Sequence, residues 1–263
     1  MSLFQIKLKR SKNAFYLTTT KVNCSVRQEK TDDYYIPTSE EEKSKRAIRR
    51  AKNRIFELAD CNDWTNFLTI TLDPKKHDRF DYSTAIKNVL NFFYNLKEEY
   101  SDFRYLIVPE PHKSGAIHFH GLLYIPQELH DYLQVGKTHN KKNRHESAII
   151  LDKFGYNNLK PLRNTKGVAA YIVKYITKDT QKLCDKRFYH SQDLKSYEEI
   201  SSVEYEKEFN DSYSEFNPDY ADSFFANIYC TKVTCYTLET LMRLIEKSDN
   251  YAAKIFKLDL LLL

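Results

Sequence analysis

The sequence predicts an α+β fold in which helices pack on a central antiparallel sheet. Three observations lead to this prediction. Residues 67–72 alternate and are rich in β-branched side chains, apolar residues then recur at helical spacing, and two apolar segments follow around a short turn that contains glycine. A strand, a helix and a hairpin in this order are typical of an antiparallel sheet covered by helices. With 41% hydrophobic residues, the 263-residue chain can build a core.

The individual elements follow from local patterns. Ser39 precedes three glutamates, so it can cap a helix that runs to about Leu58. Asp73-Pro74 ends the first strand, because the residue before a proline disfavours helix and the proline lacks an N–H group. The periodic apolar positions of the next helix are Ile86, Val89, Leu90, Phe93, Leu96 and Tyr100. The remaining predicted elements are strands at 104–110 and 117–125 and helices at 168–178 and about 237–247.

Composition divides the chain into three regions: a basic N-terminal extension with a helix (1–63), a core (64–182), and an acidic C-terminal extension packed on or beside the core (183–263). The formal net charge is +5; residues 1–60 hold 14 basic and 8 acidic side chains, whereas residues 181–263 hold 10 and 15. The basic front suits a polyanion such as nucleic acid, although a solvated surface has the same composition.

Several classes of protein are disfavoured. The first ten residues lack the apolar centre of a signal peptide, and no segment reaches the roughly 18 apolar residues of a membrane span, so we expect a cytoplasmic protein. The five cysteines are odd in number and lack C-x-x-C spacing, which favours free thiols. No Gly-x-x-x-x-Gly-Lys loop is present, so a nucleotide-driven motor is not expected.

A His-x-His pattern marks the third predicted strand. Side chains alternate across a strand, so His118 and His120 project from one face and Phe119 from the other. Glu110 lies across the hairpin, close to the position where His118 must pair. Two imidazoles and a carboxylate can hold a divalent cation. The alternative interpretation is a set of polar residues on a solvated sheet face.

The predicted helix at 168–178 repeats the unit Tyr-x-x-Lys. At 100° per residue, one stripe contains the four side chains Tyr171, Lys174, Tyr175 and Lys178. A tyrosine hydroxyl, with a pKa of about 10, is a poor nucleophile at neutral pH, and a neighbouring ammonium group favours its phenolate form. The stripe is therefore a candidate nucleophilic site, or else the wet face of an ordinary amphipathic helix.

Taken together, these segments resemble a known family. In order, residues 67–74, 118–123 and 171–175 resemble the three motifs of HUH endonucleases, and more narrowly those of the two-tyrosine initiators of rolling-circle replication in phages and plasmids. The resemblance covers about Trp64–Asp179, and residues 186–194 resemble the segment after the third motif in the phage-type group. It implies an HUH, RRM-like sheet of the ferredoxin-like split βαβ type.

The resemblance also implies roles for individual residues. His118 and His120, with Glu110, correspond to ligands of Mg²⁺ or Mn²⁺. Tyr171 and Tyr175 correspond to the nucleophiles, and Lys174 and Lys178 to the lysines beside them. Thr69 and Thr71 of the first motif are candidates for placing DNA. The resemblance does not extend to the basic helix, whose charge by itself makes Arg46, Arg49 and Arg50 candidate DNA contacts or else part of a solvated face.

The function expected from this resemblance is site-specific cleavage and rejoining of one DNA strand through a 5′-phosphotyrosine intermediate. The expected partners are single-stranded DNA at a replication origin with an adjacent duplex or hairpin, and a helicase and polymerase of a bacterial host, with the protein encoded by a phage or plasmid. Two alternatives stay open. One is a transposase or relaxase of the same chemistry, and the other is a non-catalytic nucleic-acid-binding protein.

Overall fold

The computed structural model describes residues 2–22, 39–137, 144–163, 167–175, 186–207, 216, 219, 221–227, 230–248, 253 and 256. These residues form two compact units, one of residues 38–195 and one that combines residues 1–37 with 196–263. Lys178 lies outside the described residues. Within the described ranges, no helix combines the length and apolarity that crossing a membrane requires.

The elements are, in chain order, β1 (Ser2–Arg10), β2 (Phe15–Lys21), α1 (Glu40–Cys61), β3 (Asn66–Thr71), α2 (Tyr82–Glu99), β4 (Arg104–Pro111), β5 (Ile117–Tyr124), α3 (Gln127–Tyr132), β6 (Val135–Lys137), β7 (His145–Ser147), α4 (Ala148–Phe154), β8 (Asn157–Pro161), α5 (Val168–Val173), β9 (Tyr189–His190), β10 (Glu198–Lys207), β11 (Ser223–Asn227), β12 (Cys230–Cys235) and α6 (Leu238–Glu246).

The sheet of the larger unit has the strand order β8-β3-β5-β4-β9, and every neighbouring pair is antiparallel. Helix α2 connects β3 to β4, while β5 lies between these two strands. This is the split βαβ arrangement, and α4 and β8 complete a second such crossover. The predicted α+β fold with a central antiparallel sheet and flanking helices is therefore confirmed.

Helices cover both faces of this sheet because the strand residues alternate. On one face, Leu68, Ile107 and Phe119 pack in a core with side chains of α2, α3 and α4. On the other face, side chains such as Leu122 pack with those of α1 and α5, including Ile55. The candidate site residues of β3, β4 and β5 belong to the second face, which α5 partly covers.

Helices α1 and α5 both form where the sequence predicts them, but with different bounds. Helix α1 starts after Ser39, whose hydroxyl accepts a hydrogen bond from the Glu42 backbone N–H at 3.2 Å, as the capping pattern predicted. Helix α5 is shorter than predicted: it ends at Val173, and Lys174 and Tyr175 follow in a turn. The predicted continuation to Lys178 lies outside the described residues.

The smaller unit contains a second antiparallel sheet in the order β10-β1-β2-β12-β11. Strand β1 pairs with β10 from Ser2↔Lys207 to Arg10↔Glu198, so the segments before and after the larger unit share one sheet. Sequence patterns had placed these segments in separate extensions, because pairings across so many residues leave no local periodicity. Helix α6 lies within the predicted range of about 237–247, is capped by Thr237, and packs its apolar side chains against this sheet.

Gly155 allows the turn between α4 and β8 to pass close to the end of β3. Its φ of 113° is strained for any residue with a side chain, and an added Cβ would lie 2.7 Å from the backbone N of Asp73. Gly136, by contrast, has nothing within 4 Å of an added Cβ. Gly155 therefore fixes the geometry of the turn, whereas Gly136 does not.

We expect Gly155→Ala to lower the free energy of unfolding by about 3 kcal/mol, because positive φ and steric overlap both act against the methyl group. The matched variant Gly136→Ala should change it by less than about 0.5 kcal/mol. Urea denaturation followed by fluorescence measures this in the larger unit, since Trp64 is the single tryptophan and is buried there. Equal midpoints for the two variants would contradict the prediction.

Candidate functional site

Three neighbouring strands bring the predicted metal ligands to one face of the sheet. Glu110 on β4 pairs directly with His118 on β5, as the hairpin spacing predicted. On the other side of β5, Thr71 pairs with His118 and Thr69 pairs with His120. Two histidines, one carboxylate and two threonine hydroxyls therefore form a polar patch, set by the register of three strands.

His120 and Glu110 are in direct contact, with 2.9 Å between His120 Nε2 and a carboxylate oxygen of Glu110. Burial, together with the charge of the neighbouring His118, lowers the pKa of His120 to about 4. Burial, with the charges of neighbouring groups, also lowers the pKa of His118, and burial raises the pKa of Glu110. Both imidazoles are thus neutral at pH 7, which is the form that binds metals.

The two threonines lie against the histidine rings. Thr71 Oγ1 is 3.3 Å from His118 Nδ1, and Thr69 Oγ1 is 3.5 Å from His120 Nδ1. A hydroxyl that accepts a hydrogen bond from Nδ1–H leaves Nε2 with the lone pair that a metal ligand needs. Sequence reasoning had suggested these threonines only as DNA contacts. The threonines are two residues apart, as are the histidines on the paired strand. This matched spacing is the feature of the sequence that could have indicated the threonine–histidine contacts.

His112 is a neighbour that sequence reasoning did not single out. Its ring stacks on that of His118, with the centroids 4.9 Å apart and the planes at 20°. His112 follows Glu110 by two positions, and side chains two residues apart on a strand project from the same face. This spacing is the feature of the sequence that could have indicated His112. His112 is exposed and lies at the edge of the patch.

The donor set fits a divalent cation in its chemistry, since two neutral imidazoles and a carboxylate face the same side. His120 and Glu110 already touch, whereas His118 stacks on His112. In the part of the chain that the structure describes, no three His, Cys, Asp or Glu side chains converge as a ready-made metal cage. The suitability of the site for a divalent cation therefore rests on the chemical identity of the three donors and on their position on one face of the sheet.

The tyrosines meet this patch from α5 and the turn after it. The ring of Tyr175 stacks on the imidazole of His120, with centroids 3.8 Å apart and planes at 21°. Its hydroxyl donates a hydrogen bond of 3.0 Å to the hydroxyl of Tyr171. Phe67 on β3 supports both rings, with centroid distances of 5.0 Å to Tyr171 and 5.8 Å to Tyr175. Side chains about fifty residues apart in sequence are thereby joined in one cluster.

The two tyrosines are not equivalent. Tyr171 is 46% exposed, and the Nζ atom of Lys174 lies 5.5 Å from the centroid of its ring. Tyr175 is partly buried between His120 and Phe67, and this burial, together with its hydrogen bond to Tyr171, raises its pKa. Of the two, Tyr171 is therefore the more accessible to solvent, and its ring lies beside a positive charge.

The arginines of the basic helix are separate from this cluster, although the apolar side of α1 packs with α5. The predicted DNA contacts Arg46, Arg49 and Arg50 lie on the exposed side of α1. Among the described residues, no hydrogen bond or ion pair joins them to the histidines or tyrosines. The structure thus brings together Glu110, His118, His120, Tyr171, Lys174 and Tyr175, and none of the three arginines belongs to this group.

The burial of His120 predicts a pH-dependent stability in the absence of metal. The folded pKa of about 4 lies below the ordinary value of 6.5, so the unfolded chain binds more protons between these two pKa values and stability falls as the pH is lowered through this range. We expect His120 to contribute a loss of about 2 kcal/mol between about pH 7 and about pH 5.

Urea denaturation of the wild type and of His120→Asn, at both pH values and with a chelator present, measures this contribution as a difference of differences. The loss should be smaller in the variant by the stated amount. The same pH dependence in both proteins would mean that His120 stays accessible to protons in the folded state.

Comparison with known proteins finds a similarity over the part of the chain that carries this cluster. Residues 65–180 match the model of a family described as replication-associated proteins of the ORF2 type. No curated protein and no solved structure shows a significant match to the chain. The matched residues include β3, β4 and β5 and both tyrosines of the cluster. This segment is therefore similar to replication-associated proteins.

Proposed function

We propose that the protein is a site-specific endonuclease and ligase for single-stranded DNA that initiates rolling-circle replication through a 5′-phosphotyrosine intermediate. The observation that carries the proposal is the stacking of Tyr175 on His120 while its hydroxyl donates to Tyr171. An arrangement of two tyrosine hydroxyls beside two neutral histidines and a carboxylate suits phosphoryl transfer to tyrosine. The match to a replication-associated family supports the biological role.

In the proposed reaction, a tyrosine oxygen attacks the phosphorus of one phosphodiester. A bond forms between the tyrosine oxygen and phosphorus, and the bond from phosphorus to the 3′ oxygen breaks. The tyrosine loses its hydroxyl proton, and the departing oxygen takes up a proton to become a free 3′-hydroxyl. The number of phosphodiester bonds is unchanged, so the reverse attack by a 3′-hydroxyl rejoins the strand without an external energy source.

We assign the first attack to Tyr171. It is the more exposed of the two tyrosines and has Lys174 beside it, and its oxygen accepts a hydrogen bond from Tyr175. That hydrogen bond stabilises negative charge on the attacking oxygen, because the donor points at the atom on which charge develops. Tyr175 then serves as the second nucleophile when the regenerated site is cut.

We propose that His118, His120 and Glu110 hold a divalent cation, Mg²⁺ or Mn²⁺. When bound, such a cation polarises the scissile phosphate and neutralises charge on its oxygens. Thr71 and Thr69 orient the two imidazoles from behind through their contacts at Nδ1. Lys174 supplies a second positive charge beside the ring of Tyr171.

The substrate of this site is single-stranded at the point of cleavage, because one phosphate must reach a tyrosine hydroxyl on the face of the sheet. We propose that a duplex or hairpin beside the origin provides recognition, and that a host helicase and polymerase act on the nicked product. A transposase or relaxase would use the same chemistry, and no observation in the described residues favours it.

A non-catalytic nucleic-acid-binding protein is the second candidate, and one observation favours it: no three described donors converge as a metal cage. For this function, the Tyr/Lys segment would contact phosphates without reacting. DNA binding would then be indifferent to a chelator, and no covalent product would form. Detection of a covalent product therefore separates the two candidates.

We expect the wild-type protein, mixed with single-stranded DNA from its own origin and Mn²⁺, to form a covalent adduct that survives denaturation. Loss of the Tyr175 hydroxyl in Tyr175→Phe should slow formation about tenfold, since one hydrogen bond to a charged atom is lost. Tyr171→Phe should be slower still, because only the less exposed tyrosine remains. The double variant should form none. Denaturing gel electrophoresis with a time course measures all four rates.

The controls for this experiment are chelation of the metal and His120→Ala, and both should abolish the adduct while the protein stays folded. An adduct in the double variant would remove the tyrosines from the mechanism. Binding without any adduct in the wild type would favour the non-catalytic function.

The contact between Thr71 and His118 predicts a defect in metal binding. In Thr71→Val the side chain keeps its shape but loses the hydroxyl at Nδ1, so we expect Mn²⁺ to bind about tenfold more weakly. Thr18→Val, on strand β2 of the other unit, is the matched control and should bind as the wild type does. Titration calorimetry measures the affinities, and equal affinity in Thr71→Val would show that the hydroxyl does not position the ring.

A further inference from the structure

A second concave site lies at the edge of the larger unit's sheet. It is a cavity of about 490 Å³, bounded by α1, by Leu90 of α2 and by the segment that contains the edge strand β9. Its size falls within the range of small-ligand sites. Its charged and aromatic lining residues are Arg50, Tyr105, Lys186, Arg187, Phe188, Tyr189 and His190. None of these residues belongs to the tyrosine and histidine cluster.

The lining combines positive charge with flat rings. Arg50 and Lys186 are both exposed, and Arg187 adds a third cation at the same cavity. No carboxylate is among the described residues that line it. The rings of Phe188 and His190 are stacked, with centroids 5.8 Å apart and planes at 21°. Cations that pair with phosphate and aromatic faces that stack on bases are the two components of a site for single-stranded nucleic acid.

The cavity is built by the fold from distant segments. His190 pairs with Leu106 on β4, which places residues 186–190 along the outer edge of that strand. Arg50 projects from α1, whose apolar face packs on the same side of the sheet. The sequence had suggested Arg50 as a DNA contact on a bare helix, and it gave no indication of an aromatic partner surface.

We propose that this cavity binds one nucleotide of the DNA strand that is cut at the tyrosine site. Arg50 and Lys186 contact the phosphate, and the base stacks on the aromatic wall formed by Phe188 and its neighbours. The inference rests on the proposed function, because it takes the cleaved strand as the ligand. It extends that function by assigning a second contact point, which holds the strand away from the reacting phosphate.

The position along β4 fits this assignment. Leu106, opposite His190, and Glu110, opposite His118, are four residues apart on one strand, or roughly 13 Å. A strand fixed in the cavity is thus held on the same sheet as the reacting phosphate but outside the catalytic cluster. Such a contact would restrict which phosphate reaches Tyr171, and so would select the position of the cut.

The test measures binding rather than cleavage. In the full-length protein carrying Tyr171→Phe and Tyr175→Phe, anisotropy of a labelled single-stranded oligonucleotide gives the Kd at several salt concentrations. Arg50→Ala should weaken binding about tenfold and reduce the salt slope by about 0.7, the value for one phosphate contact on single-stranded DNA. Phe188→Ala should also weaken binding about tenfold but leave the salt slope unchanged, because stacking releases no counterions.

Lys52→Ala is the matched control. It removes one positive charge from the same helix, but Lys52 lies about 160° around the axis from Arg50 and does not line the cavity. It should leave the Kd and the salt slope close to those of the parent protein. Equal effects of Arg50→Ala and Lys52→Ala, or unchanged binding in Phe188→Ala, would overturn the inference.

A free nucleotide has the same chemistry as a nucleotide within a strand, so a competition arm distinguishes the two. Thymidine monophosphate should bind only weakly and should be displaced by the oligonucleotide. If it saturates the cavity and leaves oligonucleotide binding unchanged, the site takes free nucleotides and the assignment to the strand is wrong.

Adduct formation by the protein with both tyrosines intact is measured in parallel. If the intact protein forms an adduct and the cavity variants bind the oligonucleotide as the parent protein does, the nucleotide site at the cavity is refuted, whereas the proposed strand cleavage stands. Weakened binding in the cavity variants without any adduct in the intact protein refutes strand cleavage while leaving a nucleotide site at the cavity.

Discussion

The register of β5 between β3 and β4 is the constraint on which the rest of the site depends. Phe119 is fully enclosed in the core on one face, so its neighbours His118 and His120 must project from the other. A shift by one residue would bury two imidazoles among apolar side chains and expose a phenylalanine, and this cost fixes the register. The same pairing sets Glu110 and the two threonines beside the histidines, so the polar patch is held in place by burial of the opposite face.

The central part of this arrangement was accessible from the sequence because it is local. Alternation along 67–72 and 117–125, together with a hairpin of known length, is sufficient to align Glu110 with His118. The capped start of α1 and the apolar period of α2 are likewise short-range signals. Strand β8 was missed since its residues, Asn157–Pro161, neither alternate nor favour a strand. It exists because β3 offers it a partner, and that pairing spans about ninety residues.

Contacts between elements were the other limit. Nothing in the periodicity of residues 168–178 indicates that Tyr175 leaves the helix and stacks on His120, because this depends on how α5 packs across the sheet. On the predicted helix the two tyrosines occupied equivalent positions of one stripe. In the fold, Tyr175 is partly buried and Tyr171 is exposed. The contacts of the threonines at Nδ1 and the stacking of His112 also arise only when strands are paired. The sequence thus allowed the site residues to be recognised individually. Their differences in exposure and in contacts depend on tertiary packing.

The two units differ in how they use the chain, and this has a consequence for biosynthesis. The larger unit is continuous, from residue 38 to residue 195, so all of its strands have been made before β10 is translated. The first strand of the chain, β1, has to wait for β10, its partner across almost two hundred residues. On the ribosome, the segment with the histidines and tyrosines can therefore fold first, while the hairpin of β1 and β2 stays without its outer partners until β10 and β12 have been translated. An interval of this kind leaves exposed strand edges, which are sites where a chaperone or another nascent chain can bind.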